Sequence, residues 1–174
     1  MGTQYKSLKA EDIEFIKSQK VFFAASCSGK EVNLSPKGYD CLRVLDSNTL
    51  LYMDYPGSGD RTARDIKNDG QLTLMFISFT ERAKILRLFC KGELIEKSSN
   101  VFSEAAGNFS ETIHGAVRRF IRYSIYAVES TCGMSVPFMH YEGERDGLRD
   151  WAVKKSIDNT IDKYIKDHEV PPKL

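Results

Sequence analysis

Segments with the composition of β-strands follow one another along most of this chain, and that order constrains its fold more than any other feature. The strand-like segments are 21–25, 32–35, 42–45, 49–55, 71–79, 84–96, 121–128 and 136–141. Helical patterns are fewer, and they cover 8–20, 60–68, 101–109 and 146–168. Because strands mostly follow strands, the sequence favours an antiparallel β-barrel with peripheral helices over a sheet built from repeated βαβ units.

The organisation of the chain predicts a single domain over residues 1–174. We find no internal repeat, linker or low-complexity tract in the sequence, and 174 residues are enough for one substantial hydrophobic core. The predicted last helix, over about 146–168, is amphipathic, because Trp151, Ile161 and Ile165 lie on one stripe of its surface. The sequence therefore predicts a barrel domain that ends in an amphipathic helix.

Composition excludes several classes of partner. The net charge is +1, so no overall basic field would attract nucleic acid or an anionic membrane. No apolar run approaches the roughly 18 residues that a membrane-spanning helix needs, and the first six residues contain no apolar signal core. We therefore expect a cytoplasmic protein that binds neither nucleic acid nor membrane.

The cysteines and histidines do not predict a metal site. The cysteines are far apart in the sequence and form no C-x-x-C motif, which is typical of reduced and mostly buried thiols. The three histidines are isolated from one another and from the cysteines, so neither residue type shows the spacing of a zinc site.

The strongest functional signal is a strand, a glycine-rich turn and a helix start within residues 50–69. The apolar strand pattern ends in the turn Pro56–Gly59, and a helical pattern begins at once with Asp60, Arg61 and Thr62. Free N–H groups at a helix start and a nearby guanidinium favour an anion such as phosphate. The alternative is a plain turn in which Asp60 caps the helix.

Two better-known nucleotide motifs do not fit this segment. The run 57–62 lacks the third glycine of the dinucleotide fingerprint and is not the first unit of βαβ repeats. It also lacks the Gly-Lys-Ser/Thr ending of a P-loop. The segment is therefore interpreted as a phosphate-binding turn of another kind or as a structural turn.

Two further features support the ligand interpretation. The turn Ser35–Gly38 supplies a hydroxyl group and the cation of Lys37. Arg87 interrupts the otherwise apolar strand segment 85–89, and a buried guanidinium is costly unless it meets an anion or several acceptors. Its partner could be Asp54 or Glu93 in a structural ion pair, or an anionic or electron-rich edge of a ligand.

A series of short segments, taken in order, carries a family resemblance. The segments are 22–25, 32–38, 43–45, 54–59, 73–76, 86–89 and 132–137. In this order and spacing they resemble the FMN-binding split barrels related to pyridoxamine 5′-phosphate oxidase, and the resemblance runs from about residue 13 to the terminal helix. It implies a six-stranded antiparallel split β-barrel that forms a homodimer, with FMN at the subunit interface.

The resemblance also implies roles for individual residues. Arg61 and Thr62 occupy the family's phosphate-binding positions, and Ser58 and Lys37 help to hold the phosphate or the ribityl chain. Arg87 lies on the strand that approaches the isoalloxazine ring, and the backbone around residues 53–54 passes the same ring. The candidate cofactor-binding residues are thus Ser35, Lys37, Gly38, Met53, Asp54, Ser58, Arg61, Thr62 and Arg87.

The chain departs from the true oxidase at informative positions. Thr62 stands where the oxidase has a second cation, and Lys37 stands where it has an arginine. The segment 130–137 lacks the arginine- and histidine-containing substrate motif of the oxidase. These departures indicate a divergent branch of the superfamily rather than an enzyme that oxidises vitamin B6. Cys132 could line the flavin site or be a buried thiol in a turn.

The leading functional hypothesis is an FMN-dependent oxidoreductase that moves a hydride between FMN and a small organic substrate or a nicotinamide donor. His114 and Tyr123 are candidate proton-transfer groups without an assigned place, so the catalytic residues are unknown. The competing hypothesis is a non-catalytic sensor or carrier that binds a flavin. A third, weaker hypothesis is a haem-binding barrel.

Overall fold

The computed structural model describes residues 2–57, 59–109 and 115–170, and within these ranges the chain forms eight strands and five helices. The strands are β1 (Thr3–Tyr5), β2 (Phe22–Cys27), β3 (Asn33–Lys37), β4 (Leu42–Val44), β5 (Thr49–Asp54), β6 (Gln71–Ile77), β7 (Ile85–Glu96) and β8 (Arg119–Thr131). The helices are α1 (Ala10–Ser18), α2 (Arg61–Lys67), α3 (Phe102–Ala106), α4 (Gly147–Ile157) and α5 (Ile161–Asp167).

All the strands belong to one antiparallel sheet, in the order β3-β2-β6-β7-β8-β5-β4, with β1 added beside β8. This confirms the predicted mainly β, antiparallel architecture with peripheral helices. The described residues contain eight strands instead of the expected six. The strand expected over 42–45 does form β4, whereas β1 was not predicted, because three residues carry too little alternation to indicate a strand.

The sheet curls until side chains from distant strands meet inside it. Phe22 on β2 stacks on Phe76 of the neighbouring β6, with ring centroids 5.4 Å apart. The same ring also meets Tyr52 edge-on at 5.8 Å, although β5 lies four places away from β2 in the strand order. The alternating residues Leu86 and Leu88 of β7 are fully buried in this interior. The two edge strands of the sheet, β3 and β4, therefore border the opening of a nearly closed barrel.

A buried polar cluster attaches α1 to the barrel. Asp12 of α1 is fully buried and lies 2.7 Å from the Lys84 ammonium group, and it accepts hydrogen bonds from the Tyr5 hydroxyl and the Lys9 amide. Burial alone would raise the pKa of the Asp12 carboxyl, but these donors outweigh it and lower the pKa below its usual value. The helix is thereby joined to the start of β7 and to β1.

Two predictions for the last third of the chain are wrong in detail. The single helix expected over 146–168 is divided into α4 and α5, because Asn159 has a positive φ of 54° that a continuous helix does not allow. The strand expected over 136–141 does not form, and Phe138 in this segment is 79% exposed. Its apolar side chains thus lie on the surface instead of pairing with the sheet. Among the described residues, none of the helices has the length and apolar character that crossing a bilayer requires.

Gly70 lies between the Asp65 backbone of α2 and the Cys27 backbone of β2, and it provides a test of the packing of α2 on the sheet. A Cβ atom at this position would lie 2.6 Å from the carbonyl oxygen of Cys27 and 2.7 Å from that of Asp65. We expect Gly70→Ala to lower the free energy of unfolding by about 1–3 kcal/mol, because backbone atoms must move to accept the methyl group.

Gly29→Ala is the matched control, since a Cβ atom there would meet nothing within 4 Å. Its free energy of unfolding should be unchanged or slightly higher, because alanine restricts the unfolded chain. The measurement is denaturant unfolding of both variants beside the wild type. Equal effects of the two substitutions would contradict the close packing of α2 on the sheet.

Candidate functional site

A cavity of about 370 Å³ lies between β3, β5, β8 and the beginning of α2. Its lining combines charged groups, hydroxyl groups and aromatic rings. The lining residues are Asn33, Ser35, Pro36, Lys37, Tyr52, Asp54, Gly57, Gly59, Asp60, Arg61, Thr62, Arg118, Ile121 and Tyr123. A volume of this size lies within the range of small-molecule sites in proteins, which is roughly 300–1,000 Å³.

Strand alternation decides which side chains enter the cavity. Tyr52 and Asp54 of β5 point into it, together with Ile121, which pairs with Tyr52 across the β5–β8 ladder. Met53, the intervening residue of β5, faces the opposite side of the sheet. There it lines a separate cavity of about 190 Å³ together with Arg43. The backbone of β5 therefore separates two cavities.

Buried ion pairs form one wall of the larger cavity. The Arg118 guanidinium lies 2.9 Å from the Asp54 carboxylate and 3.5 Å from that of Asp60. Arg119 contacts the other oxygen of Asp60 at 2.6 Å and Glu96 at 3.2 Å. The side chains of Asp54, Asp60, Arg118 and Arg119 are all at most 6% exposed. We call these four residues the buried ion cluster, and it joins the end of β5, the start of α2 and the start of β8.

The buried ion cluster corrects the alternative interpretation in which the Asp60 side chain caps α2. Asp60 does occupy the N-cap position, but its carboxylate makes no capping hydrogen bond to the first turn. The carboxylate instead accepts a hydrogen bond from Arg119 at 2.6 Å. Because α2 has only seven residues, we expect its dipole to contribute less to anion binding than the side chains around it.

A second group of charges surrounds the start of α2 on the outer side. Glu31 contacts Arg61 at 2.5 Å and Arg64 at 2.8 Å, and both contacts use the same carboxylate oxygen. The hydrogen bond from Arg64 is the main reason why the pKa of Glu31 lies below its usual value. Arg64 also pairs with the buried Asp65 at 2.8 Å. Glu31 thus contacts Arg61, the residue that is predicted from the sequence to bind phosphate.

A chain of hydrogen bonds connects the hydroxyl groups at the mouth of the cavity. The Asn33 amide donates to Thr62 and to Ser26 at 3.1 Å each, and its oxygen accepts from Ser35 at 3.2 Å. Ser26 then donates to the Asp65 carboxylate at 2.6 Å. These bonds hold β3 against α2, so the hydroxyl groups of Ser35 and Thr62 keep a defined separation.

The inner part of the cavity is formed by two tyrosines. Tyr52 is 7% exposed and Tyr123 is 1% exposed. Burial is the main reason why the pKa values of both phenols lie far above their usual value, with a smaller contribution from the Asp54 charge. Both hydroxyl groups therefore stay protonated at neutral pH. The Lys37 ammonium group lies 5.6 Å from the centre of the Tyr52 ring.

The structure brings together five of the nine predicted cofactor-binding residues. These are Ser35, Lys37, Asp54, Arg61 and Thr62, which all line the larger cavity. Gly38 follows β3 directly and does not line this cavity, while Met53 faces the smaller one. Ser58 lies outside the described residues, and so does His114.

Arg87 does not line the larger cavity. It lies on the face of β7 opposite to the buried Leu86 and Leu88, where it pairs with Glu129 of β8 at 3.2 Å and donates to Thr131 at 3.3 Å. The sequence named Asp54 and Glu93 as its structural partners, and both are wrong. The strand register accounts for the observed partner, because Arg87 of β7 is paired directly with Glu129 of β8.

Sequence reasoning missed the residues that shape the charged wall. Arg118 and Arg119 are two consecutive arginines immediately before an apolar strand, a pattern that requires at least one charge to be buried and paired. That signal was available, but the partner carboxylates are distant in the sequence. Glu96 lies 23 positions from Arg119, Asp60 lies 59 positions from Arg119, and Asp54 lies 64 positions from Arg118. The prediction of mostly buried cysteines holds for Cys41 and Cys90 only, since Cys27 is half-buried and Cys132 is exposed.

Comparison with known proteins relates the chain to one family. A family model described as pyridoxamine 5′-phosphate oxidase matches residues 8–132. The pyridoxamine 5′-phosphate oxidase family protein ustO of Aspergillus flavus is 31% identical over 139 residues. That alignment covers 78% of this chain and 56% of the relative, so the chain spans little more than half of the relative's length.

Solved structures share the fold at low sequence identity. A candidate pyridoxamine 5′-phosphate oxidase of Lactobacillus delbrueckii matches with a TM-score of 0.57 and 18% identity, over 71% of this chain and 98% of that chain. HupZ of group A Streptococcus matches with a TM-score of 0.57 and 16% identity, over 70% and 91%. An FMN-binding protein of Syntrophomonas wolfei matches with a TM-score of 0.50 and 14% identity, over 69% and 82%.

The buried ion cluster makes a direct prediction about stability. Asp60→Asn keeps the shape of the side chain but leaves the nearly buried Arg119 without its closest counter-charge. We expect the free energy of unfolding to fall by roughly 3–5 kcal/mol, because breaking one partner of a buried pair leaves an uncompensated charge.

The matched control is Glu14→Gln, which removes the charge from an exposed pair with Lys17. That substitution should change the free energy of unfolding by less than about 0.5 kcal/mol. Denaturant unfolding of both variants would measure the difference. A loss for Asp60→Asn as small as that of the control would mean that the cluster does not hold the cavity wall.

Proposed function

The chain belongs to the pyridoxamine 5′-phosphate oxidase family, and we propose that it is a flavoprotein that holds FMN in the cavity between β3, β5, β8 and α2. The observation that carries the proposal is the grouping of Lys37 and Arg61 with the hydroxyl groups of Ser35 and Thr62 at one end of a half-enclosed cavity. Two cations and two hydroxyl groups are the donors that a phosphate monoester requires.

The charge balance of the cavity favours an anionic group. Asp54 and Asp60 are the carboxylates of the lining, and each is engaged by Arg118 or Arg119 at 2.6–2.9 Å. Their charges are therefore largely compensated inside the buried ion cluster. Lys37 and Arg61 lie outside that cluster, so they leave the mouth of the cavity net positive.

Glu31 competes with any phosphate for the same arginine. Its carboxylate contacts Arg61 at 2.5 Å, so a bound phosphate would have to share this guanidinium or replace Glu31 on it. The side chains of Arg61 and Glu31 are 24% and 29% exposed, so solvent screens their attraction in part. A phosphate carries more charge than a carboxylate at neutral pH, and we expect it to prevail.

The remainder of the cavity suits the uncharged part of a flavin. Ile121 and the rings of Tyr52 and Tyr123 offer apolar surface beyond the charged end. When bound, FMN accepts or donates a hydride, and the redox partner would be a small organic molecule or a nicotinamide. This chain's residues would hold the phosphate, orient the ring and exclude water from its inner face.

A specific observation favours a non-catalytic carrier or sensor as the second candidate function. The carboxylates of the cavity are held in ion pairs, and both tyrosines have pKa values far above neutrality. Neither tyrosine could therefore exchange a proton readily near pH 7. Anaerobic mixing of FMN-loaded protein with NADH or NADPH separates the candidates, since bleaching of the flavin supports the oxidoreductase.

We also propose that a second copy of the chain packs against β3, the edge strand that borders the cavity. Val32 and Leu34, beside and within the edge strand β3, are 74% and 63% exposed. Exposed apolar side chains on a sheet edge are characteristic of surfaces that another chain covers. Light scattering should then give the mass of a homodimer, and a monomer at working concentration would contradict this arrangement.

The role of Arg61 predicts a selective loss of affinity. Arg61→Ala should weaken FMN binding about 10- to 100-fold, because charge-assisted hydrogen bonds contribute about 1.5–3 kcal/mol. Riboflavin lacks the phosphate, so its affinity should stay unchanged. Titration of both flavins into wild type and variant measures the two effects.

Arg122→Ala serves as the control, since Arg122 forms an exposed pair with Glu93 and does not line the cavity. It should bind both flavins like the wild type. If Arg61→Ala lowers the affinity for FMN and riboflavin equally, Arg61 does not act on the phosphate.

Competition by Glu31 predicts a gain of affinity. Glu31→Gln removes the negative charge that lies against Arg61 and Arg64, so FMN should bind several-fold more tightly. The affinity for riboflavin should not change in the same titrations. Weaker FMN binding by this variant would show instead that Glu31 holds Arg61 in place for the phosphate.

A further inference from the structure

We propose that Tyr52 and Tyr123 form a second polar contact site in the cavity, which hydrogen-bonds the part of the ligand that carries no phosphate. This inference rests on the proposed function, because it divides one cavity into an anion-binding end and an uncharged end. It assigns two specificity-determining residues that the phosphate-binding group does not include.

The hydroxyl groups of both tyrosines lack a protein partner. Tyr52 and Tyr123 line the cavity and are at least nine-tenths buried, yet neither hydroxyl is hydrogen-bonded to any part of the chain that the structure describes. Among the same residues, no fully enclosed side-chain oxygen or nitrogen is left without a hydrogen bond. The two hydroxyl oxygens must therefore reach the open space of the cavity.

Two other tyrosines, Tyr5 and Tyr39, each have a hydrogen-bond partner within the chain. Tyr5 donates to Asp12 at 2.7 Å, and Tyr39 donates to the carbonyl oxygen of Arg145. Buried tyrosines normally find such partners, because an unsatisfied hydroxyl costs about 1–3 kcal/mol. Two unpartnered hydroxyl groups in one cavity thus indicate that the partner comes from outside the chain.

The register of β5 and β8 places Tyr123 farther than Tyr52 from the buried ion cluster. Tyr52 pairs with Ile121 and Asp54 pairs with Arg119, whereas Tyr123 pairs with Leu50. Along the strands, Tyr123 therefore lies four residues, or about 13 Å, from the Asp54 pair, and Tyr52 lies two residues, or about 7 Å, from it. The two tyrosines thus extend the cavity from the buried ion cluster towards its uncharged end.

The chemistry of the two hydroxyl groups defines what they recognise. Each is a neutral group that can donate one hydrogen bond and accept others. Two cations of the lining lie near Tyr52: the Lys37 ammonium group is 5.6 Å from the centre of its ring, and the Arg118 charge acts on its hydroxyl group. The causes of the raised pKa of Tyr123 include no cation, so a second anion would find no counter-charge beside Tyr123. A neutral ring edge that carries carbonyl oxygens and N–H groups matches this pair of hydroxyls.

The test compares Tyr52→Phe and Tyr123→Phe with the control Tyr126→Phe, whose residue is half exposed on β8 and outside the cavity. FMN, riboflavin and inorganic phosphate are titrated into each protein, and the thermal unfolding midpoint is measured without ligand. Each cavity variant should bind both flavins about 2- to 10-fold more weakly, as expected for one lost hydrogen bond. Binding of inorganic phosphate should not change.

The thermal unfolding midpoint without ligand distinguishes a binding role of the two hydroxyl groups from a structural role. Because neither hydroxyl has a protein partner, both cavity variants should unfold at the wild-type temperature or above it. Unchanged affinity for both flavins in the cavity variants overturns this inference alone, and so does a large loss of stability without ligand. Wild-type protein that binds neither flavin overturns the proposed function together with this inference.

Discussion

The interaction between Asp54, Asp60, Arg118 and Arg119 is the constraint on which the candidate site depends. Removing four charges from water costs several kcal/mol per ion, and only close pairing with further hydrogen bonds offsets this cost. The observed contacts of 2.6–2.9 Å provide that pairing. Moving any one of the four side chains would leave the charge of its partner buried and unpaired. The end of β5, the start of α2 and the start of β8 are therefore held in one arrangement.

This constraint also explains why the cavity can accept an anion. The four charges of the buried ion cluster compensate one another within the cavity wall, so they neither attract nor repel a ligand strongly. The cations that remain at the cavity mouth, Lys37 and Arg61, belong to a strand edge and to a short helix that the Asn33 hydrogen bonds hold together. The buried ion cluster thus fixes the shape of the cavity wall, and the cations at the cavity mouth are left to recognise a ligand.

Local patterns in the sequence predicted the parts of the site that depend on short stretches of chain. Alternation located β7 to within one residue, and turn chemistry identified Arg61, Thr62, Ser35 and Lys37 as one group. The partners of Arg118 and Arg119 could not be predicted, because they depend on the registry between strands far apart in sequence. The division of the last helix depends on a single left-handed residue, Asn159, which apolar periodicity does not reveal. The unpartnered hydroxyl groups of Tyr52 and Tyr123 are likewise a property of the closed barrel rather than of any segment.

The most direct test of the central claim is a crystal structure of the protein grown with saturating FMN. The account predicts phosphate density within hydrogen-bond distance of Arg61 and Thr62, with the buried ion cluster unchanged behind it. It would be contradicted by a phosphate bound on the other side of β5, beside Met53 and Arg43, while the cavity in front of Arg118 contains only water.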